Sequence, residues 1–154
     1  MGFQQFVNSE LALGVPGRLA TGNPHAIVPQ AVEAAQVAGS GGVYAGRFGW
    51  IQPNGTVLNT DGGSGKTPDG IVINENSGSL YDRTEASLLI QEGRPVTLLM
   101  RGDIFVATKA GAADIPRGTA ICADPSTGEI VETGAATQFV MSVGTVDGVG
   151  VASA

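Results

Sequence analysis

The stretch Val43-Tyr44-Ala45-Gly46-Arg47-Phe48-Gly49-Trp50-Ile51-Gln52-Pro53-Asn54-Gly55-Thr56-Val57-Leu58 reads as a β-hairpin. Aromatic and β-branched residues fill 43–51. Pro53-Asn54-Gly55 supplies the φ > 0 geometry of a tight turn, and Thr56-Val57-Leu58 returns. Working outward, the same alternation of apolar runs and turn residues continues. A Gly/Asp/Ser loop over 59–70 precedes Gly70-Ile71-Val72-Ile73-Asn74. Residues 96–100 and 104–108 form a second expected hairpin across Arg101-Gly102-Asp103. The linker 109–118 leads to a strand over 119–123, and Pro125-Ser126-Thr127-Gly128 turns the chain into 129–132. Segments 138–143 and 145–151 complete the series.

Two segments are less one-sided. Residues 31–38 are Ala-rich and fit either two helical turns or an edge strand. Residues 80–91 contain the helix formers Glu85 and Ala86, but their short apolar run ends at Glu92-Gly93-Arg94-Pro95, which favours a strand. Composition points the same way. Among 154 residues there are 16 Val and 9 Ile against 9 Leu, with 24 Gly and 8 Pro to interrupt them. The length suits one core. The expected fold is all-β, a small β-barrel or β-sandwich built from hairpins, with an extended N-terminal arm over 1–30 and a single β-rich domain over 31–154.

Charge narrows the partners. Only 14% of residues are charged and the net charge is −6, against a usual charged fraction of about 25%. Two Lys and six Arg are scattered without a cluster, so a phosphate-neutralising groove is not expected and an anionic bilayer would repel the chain. Neither nucleic acid nor membrane is an expected partner. No apolar run approaches the ~18–20 residues that span a bilayer. Met1-Gly2-Phe3-Gln4-Gln5-Phe6 has no basic n-region, no following apolar h-region, and Phe where a myristoylation signal needs Ser or Thr. Synthesis in a cytoplasm is the expectation.

The first thirty residues are broken by Gly14-Val15-Pro16-Gly17, Gly22-Asn23-Pro24 and Val28-Pro29, which exclude a long helix. They also carry Phe3, Phe6, Val7, Leu11, Leu13, Val15, Leu19, Ile27 and Val28, too apolar for a solvated tail. Fully extended they reach on the order of 100 Å at about 3.3 Å per residue, enough to lie on a neighbouring molecule. Ile71-Val72-Ile73 and Leu98-Leu99-Met100 are apolar on both faces, so those strands need cover on two sides. The arm or another subunit could supply the second cover, the low charge favouring another subunit, with a covering loop as the alternative.

Signals for chemistry are weak. Cys122 is the single cysteine, which excludes an intrachain disulfide, and its place in the strand 119–123 reads as a small buried hydrophobe. His25 is the single histidine and nothing brings it to Cys122. One Cys and one His fall short of a zinc ligand set, so neither a metal nor another cofactor is expected. Asp61-Gly62-Gly63-Ser64-Gly65-Lys66-Thr67 resembles the end of a phosphate-binding loop, but Thr60 stands where the first glycine belongs and Pro68-Asp69-Gly70 starts a helix poorly. Gly39 and Gly41 lack the third glycine of a dinucleotide fingerprint, Tyr44 standing there. Lys66 breaks the nucleophile-elbow pattern at Ser64. Arg101-Gly102-Asp103 matches an integrin-binding tripeptide yet reads as a turn, as does the glycosylation-like Asn54-Gly55-Thr56. The 14 acids are dispersed, many in turns, and offer no catalytic pair.

Taken in order, the arm from Gly14 to Pro24, Ala45-Gly46-Arg47-Phe48-Gly49-Trp50, Gly93-Arg94-Pro95-Val96-Thr97-Leu98, Gly102-Asp103-Ile104-Phe105-Val106, Ile115-Pro116-Arg117-Gly118-Thr119 and the turn at 124–129 resemble the cement, or decoration, proteins of tailed-bacteriophage heads. Arg18 stands where that family often has an acid. The resemblance implies a β-rich non-enzyme on the outer surface of the capsid that bridges neighbouring major capsid protein subunits, steadies the shell against DNA pressure, and self-associates as a homodimer or homotrimer. By the same resemblance, Phe3, Phe6, Val15, Pro16, Leu19, Asn23 and Pro24 are the expected capsid or subunit contacts. Arg47 and Trp50 are assigned to the core or an oligomer interface. A carbohydrate-binding or host-attachment β module is the alternative, with Ser/Thr/Asn-rich loops to bond sugars, and a hydrolase comes third.

Overall fold

The structure is a computed structural model that describes residues 14–30, 36–74, 88–146 and 148–154. All regular structure among them is strand: β1 (Ala26–Ile27), β2 (Val37–Ala38), β3 (Val43–Tyr44), β4 (Phe48–Ile51), β5 (Thr56–Leu58), β6 (Gly70–Val72), β7 (Leu89–Ile90), β8 (Leu98–Arg101), β9 (Asp103–Ala107), β10 (Ala120–Ala123), β11 (Ile130–Val131), β12 (Ala135–Val146) and β13 (Val149–Ser153). They form a six-stranded sheet ordered β1-β8-β6-β4-β5-β2, a five-stranded sheet ordered β11-β10-β12-β13-β9, and the pair β3-β7.

The opening hairpin forms over 48–58, while residues 45–47 break the expected strand 43–51 and Val43–Tyr44 pairs instead with β7. Trp50 pairs with Leu58 and Ile51 with Val57. Gly55 takes φ 84° and its N–H donates to Gln52 O at 2.9 Å, a conformation that residues with a Cβ rarely adopt. Of the two open segments, Val37–Ala38 is a strand parallel to β5 and Leu89–Ile90 a strand paired with β3. Residues 31–35 and 80–87 lie outside the described residues.

The main core lies between the two large sheets. Phe48, Trp50, Ile71 and Leu99 from the six-stranded sheet meet Ile104, Ile121, Phe139 and Met141 from the five-stranded one, all buried. The Phe48 and Phe139 rings make an edge contact with centroids 5.9 Å apart, the arrangement aromatic quadrupoles prefer. The five-stranded sheet curls until Thr108, just past β9, bridges Ile130 of β11 at the opposite edge. Barrel and sandwich are thus both present, one sheet curling towards closure while it packs on another.

A second core occupies the other face of the six-stranded sheet, where Val57, Val72 and Leu98 pack with Ala38, Val43 and Val96. The need for two covers at Ile71-Val72 and Leu98-Leu99 was correctly legible, and within this chain the second cover is the β3-β7 pair and flanking segments, with Ile90, Leu88 and Val28 of the arm against the same cluster.

Three further expectations change. Residues 96–100 and 104–108 are not a hairpin: β8 pairs with β6 and β1, β9 pairs with β13, and the chain crosses from one sheet to the other at Gly102. Segments 138–143 and 145–151 are not divided at Gly144, because β12 runs through it with register shifts on either side of Val143, and the reversal falls between Val146 and Val149. Gly148, at φ 78°, supplies the left-handed geometry there. Cys122 is half-buried rather than buried, since its neighbours Ile121 and Ala123 take the inward positions of β10.

The near-closure of the curled sheet is stapled from outside. Lys109 Nζ donates to Asp124 Oδ2 at 2.8 Å. With the Ser126 N–H also donating to it, the carboxyl of Asp124 falls from the ordinary 3.8 to about 2. A carboxylate whose pKa is lower folded than unfolded contributes stability that is complete above the unfolded value and is lost as pH falls through the folded one. Stability is therefore expected to drop between about pH 4 and pH 2, and Asp124→Asn to make that drop shallower, as read by urea midpoints across the range. An unchanged slope would remove the staple.

Candidate interaction surface

The described part of the arm is an extended ribbon that stitches the two sheets together. Gly17 N–H donates to Phe105 O (2.8 Å), Phe105 N–H to Arg18 O (2.9 Å) and Ala20 N–H to Asp103 O (2.8 Å), so residues 17–20 add a strand to the free edge of β9. From the other side Asn74 N–H donates to Gly17 O at 2.8 Å. Gly17 is held at φ 86° against Ala45, Gly46 and Asn74, where a side chain has no room. The ribbon then crosses to the six-stranded sheet, where β1 pairs with β8 and Val28 N–H donates to Leu98 O at 2.9 Å.

Asp103 latches the crossing. Its Oδ2 accepts from Thr21 Oγ1 (2.7 Å) and Asn23 Nδ2 (2.9 Å), and its Oδ1 accepts from Ser153 Oγ (2.5 Å). The Ser153 hydroxyl first, then Thr21 and Asn23, hold the carboxyl below its ordinary value. Asp103 is thus a clasp within the fold rather than part of an integrin-type recognition loop, and Gly102 beside it is buried. Asp103→Ala is expected to cost about 1 kcal/mol of stability, the ordinary scale of such bonds, and to speed hydrogen exchange at the Gly17 and Ala20 amides. Unchanged exchange there would show that the latch is idle.

The residues assigned from sequence separate into three groups. Phe3 and Phe6 lie outside the described residues. Leu19 packs on the main core, Pro16 lies against Gly46 and Asn23 serves the Asp103 latch. Leu19 and Pro16 are thus partly covered by their own globule, while Asn23 stays exposed. Val15 (44% exposed) and Pro24 remain open to solvent, joined by Ile27 (50%). Trp50 is buried with its Nε1–H donating to Lys66 O at 3.0 Å, which makes it core. Arg47 ion-pairs with Glu129 at 3.3 Å and lies 4.4 Å over the Tyr44 ring.

A surface the sequence did not reveal lies on the outside of the five-stranded sheet. Val140, Val143 and Val146 are 42%, 56% and 61% exposed. Across the strands Val143 pairs with Val151 and Val151 with Phe105, both half-buried, which makes an apolar ladder three strands wide. Phe139 and Met141 point the opposite way into the core. Because β12 is apolar at both parities, simple alternation gave no sign of which residues face out.

The loop 61–67 holds itself together. Asp61 accepts from the Gly63 and Gly65 N–H groups at 2.7 and 3.1 Å, and Lys66 gives its carbonyl to Trp50. Its Asp61 carboxylate points the amide donors inward, where a phosphate-binding loop presents them outward. No group of three or more His, Cys, Asp or Glu side chains suited to a metal occurs among the described residues.

A charge-poor β sandwich with an edge-docked arm and an apolar sheet face is built for contact with other proteins, the class of an assembly component. A family model described as the XM1 gp53 minor capsid protein matches residues 3–154, and the chain belongs to that family, a family of phage structural proteins. The fold is similar to that of a chain in the capsid of Myoviridae phage XM1, with a TM-score of 0.64 and 17% identity over 99% of this chain and 97% of that one. No curated protein matches the chain.

Proposed function

We propose that the protein is a cement protein of the phage head, bound to the outer surface of the shell, where it bridges neighbouring major capsid protein subunits and resists DNA pressure. The single observation that carries this reading is the minor capsid family match over 3–154. The surface supports it. Shell sites repeat, so a protein that touches two neighbours at once gains effective concentration, and each contact needs only modest affinity. The exposed Val15, Pro24 and Ile27 sit on a backbone already fixed by hydrogen bonds, so little conformational freedom is lost on docking. Phe3 and Phe6 extend the same contact surface, and self-association as a dimer or trimer multiplies it. Chemistry on a substrate has no part in this role.

Among the described residues the sugar-binding alternative has few aromatic faces to stack on: Trp50 is buried, and Tyr44, 40% exposed, carries Arg47 over one face. Heads assembled with and without the protein should differ on heating, those lacking it releasing DNA at lower temperature. Identical melting profiles would count decisively against cementing.

A further inference from the structure

We infer that Asn54-Gly55 is a site of spontaneous covalent modification, a succinimide-forming step, and that the β4-β5 hairpin holds it shut through Thr56. The inference does not depend on the cementing role. Six asparagines occur in the chain and only Asn54 is followed by glycine, the residue whose missing Cβ leaves its backbone nitrogen least hindered. Asn54 is exposed at the tip of the turn, so solvent reaches it.

The step balances with water as its one co-reactant. The Gly55 nitrogen gives up its proton to solvent and attacks Asn54 Cγ. The Cγ–Nδ2 bond then breaks, and ammonia leaves with a proton taken back from solvent. Water opens the imide ring at either carbonyl and yields aspartate or isoaspartate. Both products put a carboxylate at the turn. Isoaspartate also inserts a methylene into the backbone that sets the pairing of Trp50 with Leu58.

The folded geometry blocks the first bond. Gly55 N–H donates to Gln52 O at 2.9 Å, so its proton is held inside the turn. Asn54 Oδ1 accepts from both Thr56 N–H (3.1 Å) and Thr56 Oγ1 (2.7 Å). The carboxamide is thereby anchored beyond Gly55, and swinging Cγ onto the Gly55 nitrogen breaks both bonds. Two donors on Oδ1 also polarise Cγ, but that has no outlet while the Gly55 nitrogen is tied. The mark therefore collects on chains whose hairpin has opened.

The test incubates the full chain at mildly alkaline pH, folded or unfolded in guanidinium, and counts aspartate and isoaspartate at residue 54 by mass spectrometry. The folded chain should convert more slowly than the unfolded one by about tenfold or more, the protection a closed hairpin gives. Thr56→Val keeps the β-branched shape and loses the hydroxyl; folded, it should convert about fivefold faster, the effect of one hydrogen bond. Thr56→Ser should restore the natural rate, and all three chains should share one rate in guanidinium. The folded-to-unfolded ratio of the natural chain reads the inference even if a variant fails to fold. Equal rates for the natural chain folded and unfolded would overturn it. A folded Thr56→Val chain that converts no faster than the natural one would overturn it too, because Thr56 would then not be the clamp.

Discussion

Trp50→Ala should lower the free energy of unfolding by about 3–5 kcal/mol, the range for a large aromatic removed from a close-packed core. The indole is 2% exposed and stands with Phe48, Ile71 and Leu99 at the junction of the two sheets. It also fastens the long loop after β5 by its 3.0 Å bond to Lys66 O. Trp50→Phe separates these roles: it keeps most of the packing and loses the bond, at about 1–2 kcal/mol. Urea unfolding of both variants measures the pair. A cost below about 1 kcal/mol for the alanine variant would place Trp50 outside the core.

Gly102→Ala is the second large effect, expected at about 3 kcal/mol or more. Gly102 has φ 133°, a conformation essentially confined to glycine and worth about 1–3 kcal/mol of strain for other residues. A Cβ there would lie 2.7 Å from the His25 Cβ, against the ribbon itself. The residue also exchanges backbone hydrogen bonds with Ala154 at 3.1 and 3.3 Å. Relief of the clash must move the arm, the C-terminus or the corner between the sheets. Thermal unfolding together with proteolysis of the arm reads the result, and a fully stable variant with a protected arm would contradict this geometry.

The same corner shows where sequence reading stops. Two apolar runs separated by Arg101-Gly102-Asp103 have the local signature of a hairpin. The strands extend inward to Arg101 and Asp103, leaving one residue between them, too few for a two-residue hairpin turn. The partner of β9 is β13, more than forty residues further on, and no local pattern encodes so distant a pairing. By contrast the hairpin 48–58 was legible because Asn54-Gly55 is itself the instruction for the turn. The two-sided burial of Ile71-Val72 and Leu98-Leu99 was legible too, since both parities are apolar.

The interaction surface was half legible. The apolar content of the arm showed that its side chains need cover, and composition is silent on whose surface supplies it. The backbone bonds from Gly17, Arg18 and Ala20 to β9 answer that for residues 17–20, while Val15, Pro24 and Ile27 stay exposed. The valines at 140, 143 and 146 were unreadable, because β12 carries two register shifts that break strict alternation.

A density map of heads assembled with the protein tests the cementing role most directly. Cementing places the sandwich on the outer surface, with the ribbon 14–30 and its exposed Val15 and Ile27 seated across the boundary between two major capsid protein subunits. Density on the inner surface, or contacts confined to one subunit, would contradict it.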